Sequence, residues 1–376
     1  MSYRILLATG GTGGHVFPAI AVAEALLQRH PDAQLLFAGG GLGSNRFLVR
    51  SCFVGKEISC GSFSSKNPLS FLHSLSKIAC GCFQSSRLLN HFSPELLIAF
   101  GSYYTFPLLC AAIGKGIPLL VHEANSIAGR VNRLAARYAD LTAIYFPLTC
   151  SSLVGKVVLA QMPLRSAYVF SAQKKQQAYE YFGFDPKRLT LLIFGGSQGA
   201  RALNALFMEI PIAYWAVFSS AIQILHFTGN EGDARQLHVR YCSAGISAVV
   251  KPFESHMDRA WHAADLAICR AGASTIAEAL AFRVPMLFIP YPYATDDHQR
   301  HNAQFVVEQI RAGHMLGETA ATAEVLVDFL QQLLAGEAAV LRRWQRAIEQ
   351  HMEEEKRRPD LASLAIELIE QKRQKN

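Results

Sequence analysis

The sequence predicts an α/β chain of two domains, each a doubly wound parallel sheet. Two segments far apart make the case. Near the start, Arg4-Ile5-Leu6-Leu7-Ala8-Thr9 runs into Gly10-Gly11-Thr12-Gly13-Gly14-His15 and then an alanine-rich stretch. Past the midpoint, Leu191-Leu192-Ile193-Phe194 runs into Gly195-Gly196-Ser197-Gln198-Gly199-Ala200-Arg201 and again into a helical pattern. Each is a short apolar strand, a glycine turn and a helix start. There, unpaired backbone N–H groups and the helix dipole can hold an anion. The third observation is length. At 376 residues the chain exceeds one ordinary core, so two domains facing each other, with substrates between them, are expected.

In the first half, strands are expected at 5–8, 35–38, 96–100, 119–122 and 141–143, and helices at 19–29 and 130–138. Short apolar runs that alternate with helical patterns imply parallel pairing through helical crossovers. The pattern loosens over 157–165, where Gln161-Met162-Pro163 marks a linker, so the domains are set at 1–162 and 163–345. The second half begins again, with strands at 189–194, 222–228, 248–251, 266–268 and 286–289 and helices at 275–282 and 302–311. In the tail, Asp360 caps a helix of about 360–373 that places Leu361, Leu364, Ala365, Leu368 and Ile369 on one face and closes on Lys372 and Arg373. Packing back on the first domain would bury that stripe.

The composition, 51% hydrophobic and 17% charged, is globular. No secretory leader is expected, because the first apolar run reaches glycine at Gly10. Cys52, Cys60, Cys80, Cys82, Cys110, Cys150, Cys242 and Cys269 show no CxxC spacing, which favours free thiols in a reducing compartment over a zinc site. The uncharged stretch 96–114 is long enough to span a bilayer, but Gly101-Ser102-Tyr103-Tyr104-Thr105 and Pro107 interrupt it. It reads as strand, polar turn and helix. Charge is uneven: residues 1–162 carry 13 Lys and Arg against 6 Asp and Glu, and residues 163–376 carry 23 of each. The whole net charge of +7 therefore sits in the first part, which suits an anionic partner there as well as it suits scattered solubilising charge.

Neither glycine turn is a dinucleotide fingerprint. From Gly11 the third glycine position is Val16, and from Gly195 the middle position is Ser197. No GxxxxGK[ST] occurs either.

Five blocks resemble the MurG family of N-acetylglucosaminyltransferases. They are Gly10 to Ala19, Val121-His122-Glu123-Ala124-Asn125-Ser126-Ile127-Ala128-Gly129, Phe194 to Arg201, Cys269-Arg270-Ala271-Gly272-Ala273-Ser274-Thr275, and His298-Gln299 with Asn302-Ala303. The resemblance implies a GT-B fold of two Rossmann-like domains and an inverting transfer. N-acetylglucosamine would pass from UDP-N-acetylglucosamine, held in the second domain, to undecaprenyl-linked lipid I, held in the first, and give lipid II for peptidoglycan. It also implies peripheral attachment to the cytoplasmic face of the bacterial inner membrane.

Ser197 and Gln198 stand where strand meets helix and suit the donor diphosphate; two glycines already satisfy the turn, and the Ser-Gln between them is left over. The resemblance gives Arg165 a place on the same diphosphate, although Met162 stands before Pro163 where the family usually has Asn. It gives Glu278 the uridine ribose, with Gly272, Ala273, Ser274 and Thr275 at the same nucleotide. Phe253 would lie near the uracil, beside a Glu254 that replaces a usually apolar residue. Gln299 would select the sugar, and Asn125 would touch the N-acetylglucosamine beside an Ala124 where relatives often carry Gln. Thr12, Gly13 and Gly14 complete the donor-contacting set.

His15 is the candidate general base, worth about 10²–10⁴-fold. It reads equally as a helix-start residue bonded to the acceptor phosphate or to its own loop. Glu123 is a second carboxylate that could assist or replace it. Two turns, Gly11-Thr12-Gly13-Gly14 and Gly101-Ser102-Tyr103, could cradle the acceptor diphosphate. No metal or other cofactor is expected, although Asp296-Asp297-His298 could suggest ligands. For the membrane, Leu69 to Ile78 reads as an amphipathic helix with Phe71, Leu72, Leu75 and Ile78 apolar and Lys66, Lys77 and Arg87 flanking it; a core helix would show the same stripe, and the charge asymmetry favours lipid. Two other readings are a soluble UDP-N-acetylglucosamine 2-epimerase of the same fold and a nucleic-acid binder drawn from the basic pI. The second leaves the glycine loops and Glu278 unexplained, and no nucleic acid is expected.

Overall fold

A computed structural model of the chain describes residues 2–375 except 12, 44, 46, 47, 49, 50, 52, 62–67, 197, 198 and 336–338, and not the side chains of 68–70. The chain forms two compact units, Met1–Ser166 with Glu355–Asn376, and Ala167–Glu354.

The first unit is built on seven strands: β1 (Arg4–Ala8), β2 (Gln34–Gly39), β3 (Gly55–Glu57), β4 (Leu96–Ala99), β5 (Leu119–Glu123), β6 (Leu141–Ile144) and β7 (Val157–Leu159). They lie in the order β3-β2-β1-β4-β5-β6-β7, and every pairing is parallel. Strands β4 and β5 are buried throughout, so they read as continuous apolar runs rather than alternating ones. Successive side chains of β1 face opposite layers. Ile5 and Leu7 pack with the helices Gly13–Arg29 and Leu361–Arg373, while Leu6 and Ala8 pack with Leu89, Leu108 and Leu109 from the helices Pro68–Phe92 and Phe106–Gly114.

The helix Leu361–Arg373 is capped by Asp360, which accepts from the Ser363 N–H, and it buries Leu361, Leu364, Leu368 and Ile369 in the β1 core. Each such side chain is worth about 1.5–3 kcal/mol. Tyr3 and Glu95 hold its far end through Glu370 and Arg373.

The second unit has β8 (Leu189–Phe194), β9 (Ile222–Phe227), β10 (Ser247–Lys251), β11 (Leu266–Cys269), β12 (Met286–Phe288) and β13 (Gly313–Met315), ordered β10-β9-β8-β11-β12-β13 and all parallel. Both units thus share one strand order. The first strand is central, the next two step outward on one side, and the fourth returns to the other.

Several elements differ from the sequence expectations. Strands β3, β7 and β13 are three-residue edges too short to signal themselves, and β7 occupies residues 157–159, where the pattern loosened. The first helix starts at Gly13 and runs through Pro18. The helix expected at 302–311 is an α-helix, His298–Gln304, followed by a π-helical turn, Phe305–Ile310, that ends on Arg311 with φ +61°. The uncharged stretch is β4, a 3₁₀ turn (Tyr103–Thr105) and the helix Phe106–Gly114. Among the described residues no helix is long and apolar enough to cross a membrane.

Candidate functional site

In a sheet of this order, ligands bind beyond the carboxyl ends of the strands where the winding reverses. The reversal falls between β1 and β4 in the first unit and between β8 and β11 in the second. The loops leaving those four strands carry Gly11 to Gly14, Gly101 to Tyr103, Gly195 to Ala200 and Arg270 to Gly272.

In the second unit the helix Arg201–Glu209 starts after Ala200 and the helix Ala273–Ala281 after Gly272. Neither has a side-chain cap or an acidic residue in its first turn. Side chains cap two other helices, Asn230 on Glu231–Ser243 and Asp360 on Leu361–Arg373, while Ala172–Phe182 and Met257–Ala263 also start without one. Leaving a helix N-terminus without a side-chain cap costs about 0.5–2 kcal/mol and keeps its N–H groups available to an anion. Gly199 sits at φ +73° against the Thr228 carbonyl, and its N–H bonds the Gly196 carbonyl, which sets the bend of the loop. Ser197 and Gln198 lie outside the described residues.

Glu278, on the helix Ala273–Ala281, is half-buried, and one of its oxygens accepts the indole N–H of the fully buried Trp261 at 2.9 Å. That bond aims the carboxylate. Buried Asn302 donates to the Ala271 carbonyl at 3.1 Å, which ties the helix His298–Gln304 to the Gly272 turn. Gln299 on that helix gives its carbonyl oxygen to the Tyr291 N–H at 3.0 Å, which directs its NH₂ group the other way. Arg270, nearly buried, is consumed by the Ile289 and Pro290 carbonyls and by Glu318. Phe253 is exposed after β10, and Glu254 beside it is buried. Desolvation would raise the Glu254 carboxyl, but the Lys251 ammonium at 2.7 Å and the His256 N–H outweigh it and hold it below the ordinary value.

In the first unit His15 lies in the opening turn of the helix Gly13–Arg29, half-buried, with Gly13 and Gly14 before it. Thr12 lies outside the described residues. Gly11 takes φ +80° and its carbonyl accepts from Asn45 at 3.0 Å. Ser102 holds φ +74° and Gly101 φ +83°, so the second turn is tightly bent, and Tyr103 stands exposed on it.

The structure reassigns Glu123. Its carboxylate is buried, and four donors occupy both oxygens: the Asn125 N–H and side chain on one, the Gly129 N–H and the Asn132 side chain on the other. It fastens the loop after β5 and is not placed to take a proton. Asn125 is held in turn, since its carbonyl accepts from Thr149. His122 beside it is buried against Phe100, and burial first, with nearby His15, pushes its imidazole down to about 4. Arg165 lies in the first unit, its guanidinium 4.8 Å over the Phe17 ring, and so stands with the His15 helix.

Asp297 pairs with Arg300, and His298 Nδ1 faces the Thr295 carbonyl at 2.8 Å. Among the described residues no cluster of three His, Cys, Asp or Glu could hold a metal ion.

Comparison with known proteins agrees with this geometry in both halves. The glycosyltransferase family 28 N-terminal domain matches residues 5–144 and its C-terminal domain matches 190–361. The chain belongs to glycosyltransferase family 28, within its MurG group. A UDP-N-acetylglucosamine–N-acetylmuramyl-(pentapeptide) pyrophosphoryl-undecaprenol N-acetylglucosamine transferase of Protochlamydia amoebophila is 42% identical over 334 residues, 89% of this chain and 88% of that one. The crystal structure of Acinetobacter baumannii MurG superposes with a TM-score of 0.74 at 29% identity, covering 99% of this chain and all of that one. A UDP-glucosyltransferase of Polygonum tinctorium shares the fold, with a TM-score of 0.70 at 12% identity and 98% of each chain covered. The fold of this family 28 chain is GT-B.

Sequence reasoning missed the residues that aim the others. Trp261, Asn302, Asn132 and Asn45 act through contacts remote in sequence, and only their polar character in apolar or loop surroundings hinted at a role. Tyr104 reads in the sequence only as part of a polar turn.

Proposed function

We infer that this chain transfers N-acetylglucosamine from UDP-N-acetylglucosamine to the muramoyl C4 hydroxyl of lipid I, forming lipid II. The observation that carries the reading is the pair Glu278 and Trp261 in the same unit as the glycine-turn helix starts at Ala200 and Gly272, within a family 28 chain. A carboxylate aimed by an indole bond suits the two hydroxyls of a ribose. The helix N-termini at Ala200 and Gly272 suit the diphosphate and the charge that grows on it as UDP leaves. Gln299 offers its NH₂ to sugar hydroxyls. Arg165 would add a bidentate contact to the diphosphate.

In the transfer, the acceptor oxygen forms a bond to the anomeric carbon from the face opposite UDP while the carbon–oxygen bond to UDP breaks. The hydroxyl proton passes to His15, and the bond electrons leave with the diphosphate. Glu123 serves by holding Asn125 and the loop after β5. The turns at Gly11 to Gly14 and Gly101 to Tyr103 take the acceptor diphosphate.

The first unit would sit on an anionic membrane, on its cytoplasmic side. Helix Pro68–Phe92 exposes Phe71, Leu72, Leu75 and Phe83 along one face, with Lys77 and Arg87 also exposed and Arg87 6.0 Å from the Phe83 ring. Ile78, expected in that stripe, is turned into the protein, and Phe83 takes its place. Lys66 and the Leu69 side chain lie outside what is described. Apolar insertion and about 1 kcal/mol per basic residue give reversible attachment.

The test supplies labelled UDP-N-acetylglucosamine with vesicles containing lipid I. Label in the lipid supports the reading. Conversion of the donor without acceptor would replace it with the epimerase.

A further inference from the structure

Among the residues at the mouth of the first unit, one belongs to neither hydrophobic layer and yet touches two glycine loops besides its own. The Tyr104 side chain lies against loops that leave two other strands: a Cβ on Gly10 or Gly11, after β1, would come 2.9 Å from it, and one on Gly40, after β2, would come 2.4 Å from a ring carbon. Tyr104 itself stands on the loop after β4. Glycine at these positions is required by the ring's approach, since any side chain would displace it. The backbone closes the same junction. Both the Gly40 N–H and the Cys60 thiol donate to the Tyr104 carbonyl at 3.1 Å, and Ser102 Oγ accepts from the Tyr104 N–H at 3.4 Å. On its outer side the Tyr104 ring lies 4.1 Å, centroid to centroid, from that of exposed Tyr103.

We propose that Tyr104 is a positioning residue of the acceptor-diphosphate subsite, its ring wedged between the glycine loops after β1 and β2 and backing the ring of Tyr103. The inference rests on the reading above that the Gly11 to Gly14 and Gly101 to Tyr103 turns receive that diphosphate. A phenol held in this way must remain a donor beside a multiply charged ligand. Desolvation, with the neighbouring Tyr104 hydroxyl, pushes Tyr103 up to about 12, so it keeps its proton at neutral pH. The ring sets the spacing of the loops and backs the ring of Tyr103.

The experiment compares wild type, Tyr104→Ala, Tyr104→Leu and Tyr104→Phe in lipid vesicles, with KM for donor and for acceptor, kcat and melting temperature measured for each. Tyr104→Ala removes the ring, and Tyr104→Leu does so while filling part of its space. The expected result for both is a rise of about fivefold in acceptor KM with donor KM unchanged. Tyr104→Phe keeps the ring and should rescue the acceptor KM. A wild-type acceptor KM in Tyr104→Ala and Tyr104→Leu overturns the proposal. So does an equal rise in donor KM, or a Tyr104→Phe variant as impaired as Tyr104→Ala. Wild type that transfers no sugar to the lipid overturns the functional reading itself and the proposal with it, and that is seen before any variant is compared.

Discussion

The two units share a strand order but close their ligand ends in opposite ways. In the first, side chains tie the loops down: Asn45 holds the Gly11 carbonyl, Glu57 takes the Gly41 and Gly43 N–H groups at 2.6 Å, and Glu123 gathers four donors. In the second, the glycine loop is bent by its own backbone, and the two helices behind it start without side-chain caps. The side-chain work there lies behind the loop. Asn204 is buried and joins the Thr228 carbonyl, Asp233 and His226, whose other nitrogen meets Tyr241. The contrast matches the ligands proposed for each half. A lipid-borne acceptor arrives at a membrane and meets a preformed rim, while a soluble nucleotide is met by unspent N–H groups and one aimed carboxylate. The charge follows the same division, with the basic excess confined to residues 1–162.

The largest expected effect separates the halves by kinetics. His15→Ala should lower kcat by about 10²–10⁴-fold and leave UDP affinity at the wild-type value. Unchanged turnover in a steady-state assay would remove His15 as the base. Next in size, Glu278→Ala should weaken UDP binding by about 100-fold in calorimetry, the loss of two hydrogen bonds to a charged group, with acceptor KM unmoved. Glu278→Gln keeps an acceptor for Trp261 and guards against a folding artefact. Donor affinity equal to wild type in both variants would sink the ribose assignment.

Acid should weaken both units. Burial pushes His226 down to about 3 and His122 to about 4, against about 6.5 in the unfolded chain. The folded state therefore binds fewer protons below pH 6.5, so this stability is complete above that pH and is lost as pH falls toward 4. Each histidine should cost about 2 kcal/mol between pH 7 and pH 5. Thermal melts that do not shift over this range would contradict the burial of both. The smallest effect concerns the membrane. Replacing Leu72 and Phe83 by Ser should reduce partition into anionic vesicles about tenfold and leave kcat in detergent intact. Equal partition of variant and wild type would assign the stripe another role.

Much of the fold was legible because its signals are local. An apolar run followed by glycine and a helical pattern declares a strand, a turn and a helix within a dozen residues, and the capped stripe from Asp360 to Arg373 needs no distant partner to be read. The three-residue edge strands β3, β7 and β13 escaped for the converse reason: they have too few residues to show a period, and only a neighbouring strand makes them strands.

The candidate site divides along the same line. Sequence alone determined which residue types stand at the strand ends, that the glycine turns come in a pair, and that the basic charge lies in one half. Tertiary structure alone decided what those side chains can do. Glu123 met four donors and became a fastener, Ile78 turned inward while Phe83 turned out, and Glu278 was aimed by an indole seventeen positions before it. The physical reason is that a side chain's chemistry is set by which donors, acceptors and apolar surfaces surround it. Those neighbours are brought together by packing between elements and leave no mark on the local order of residues.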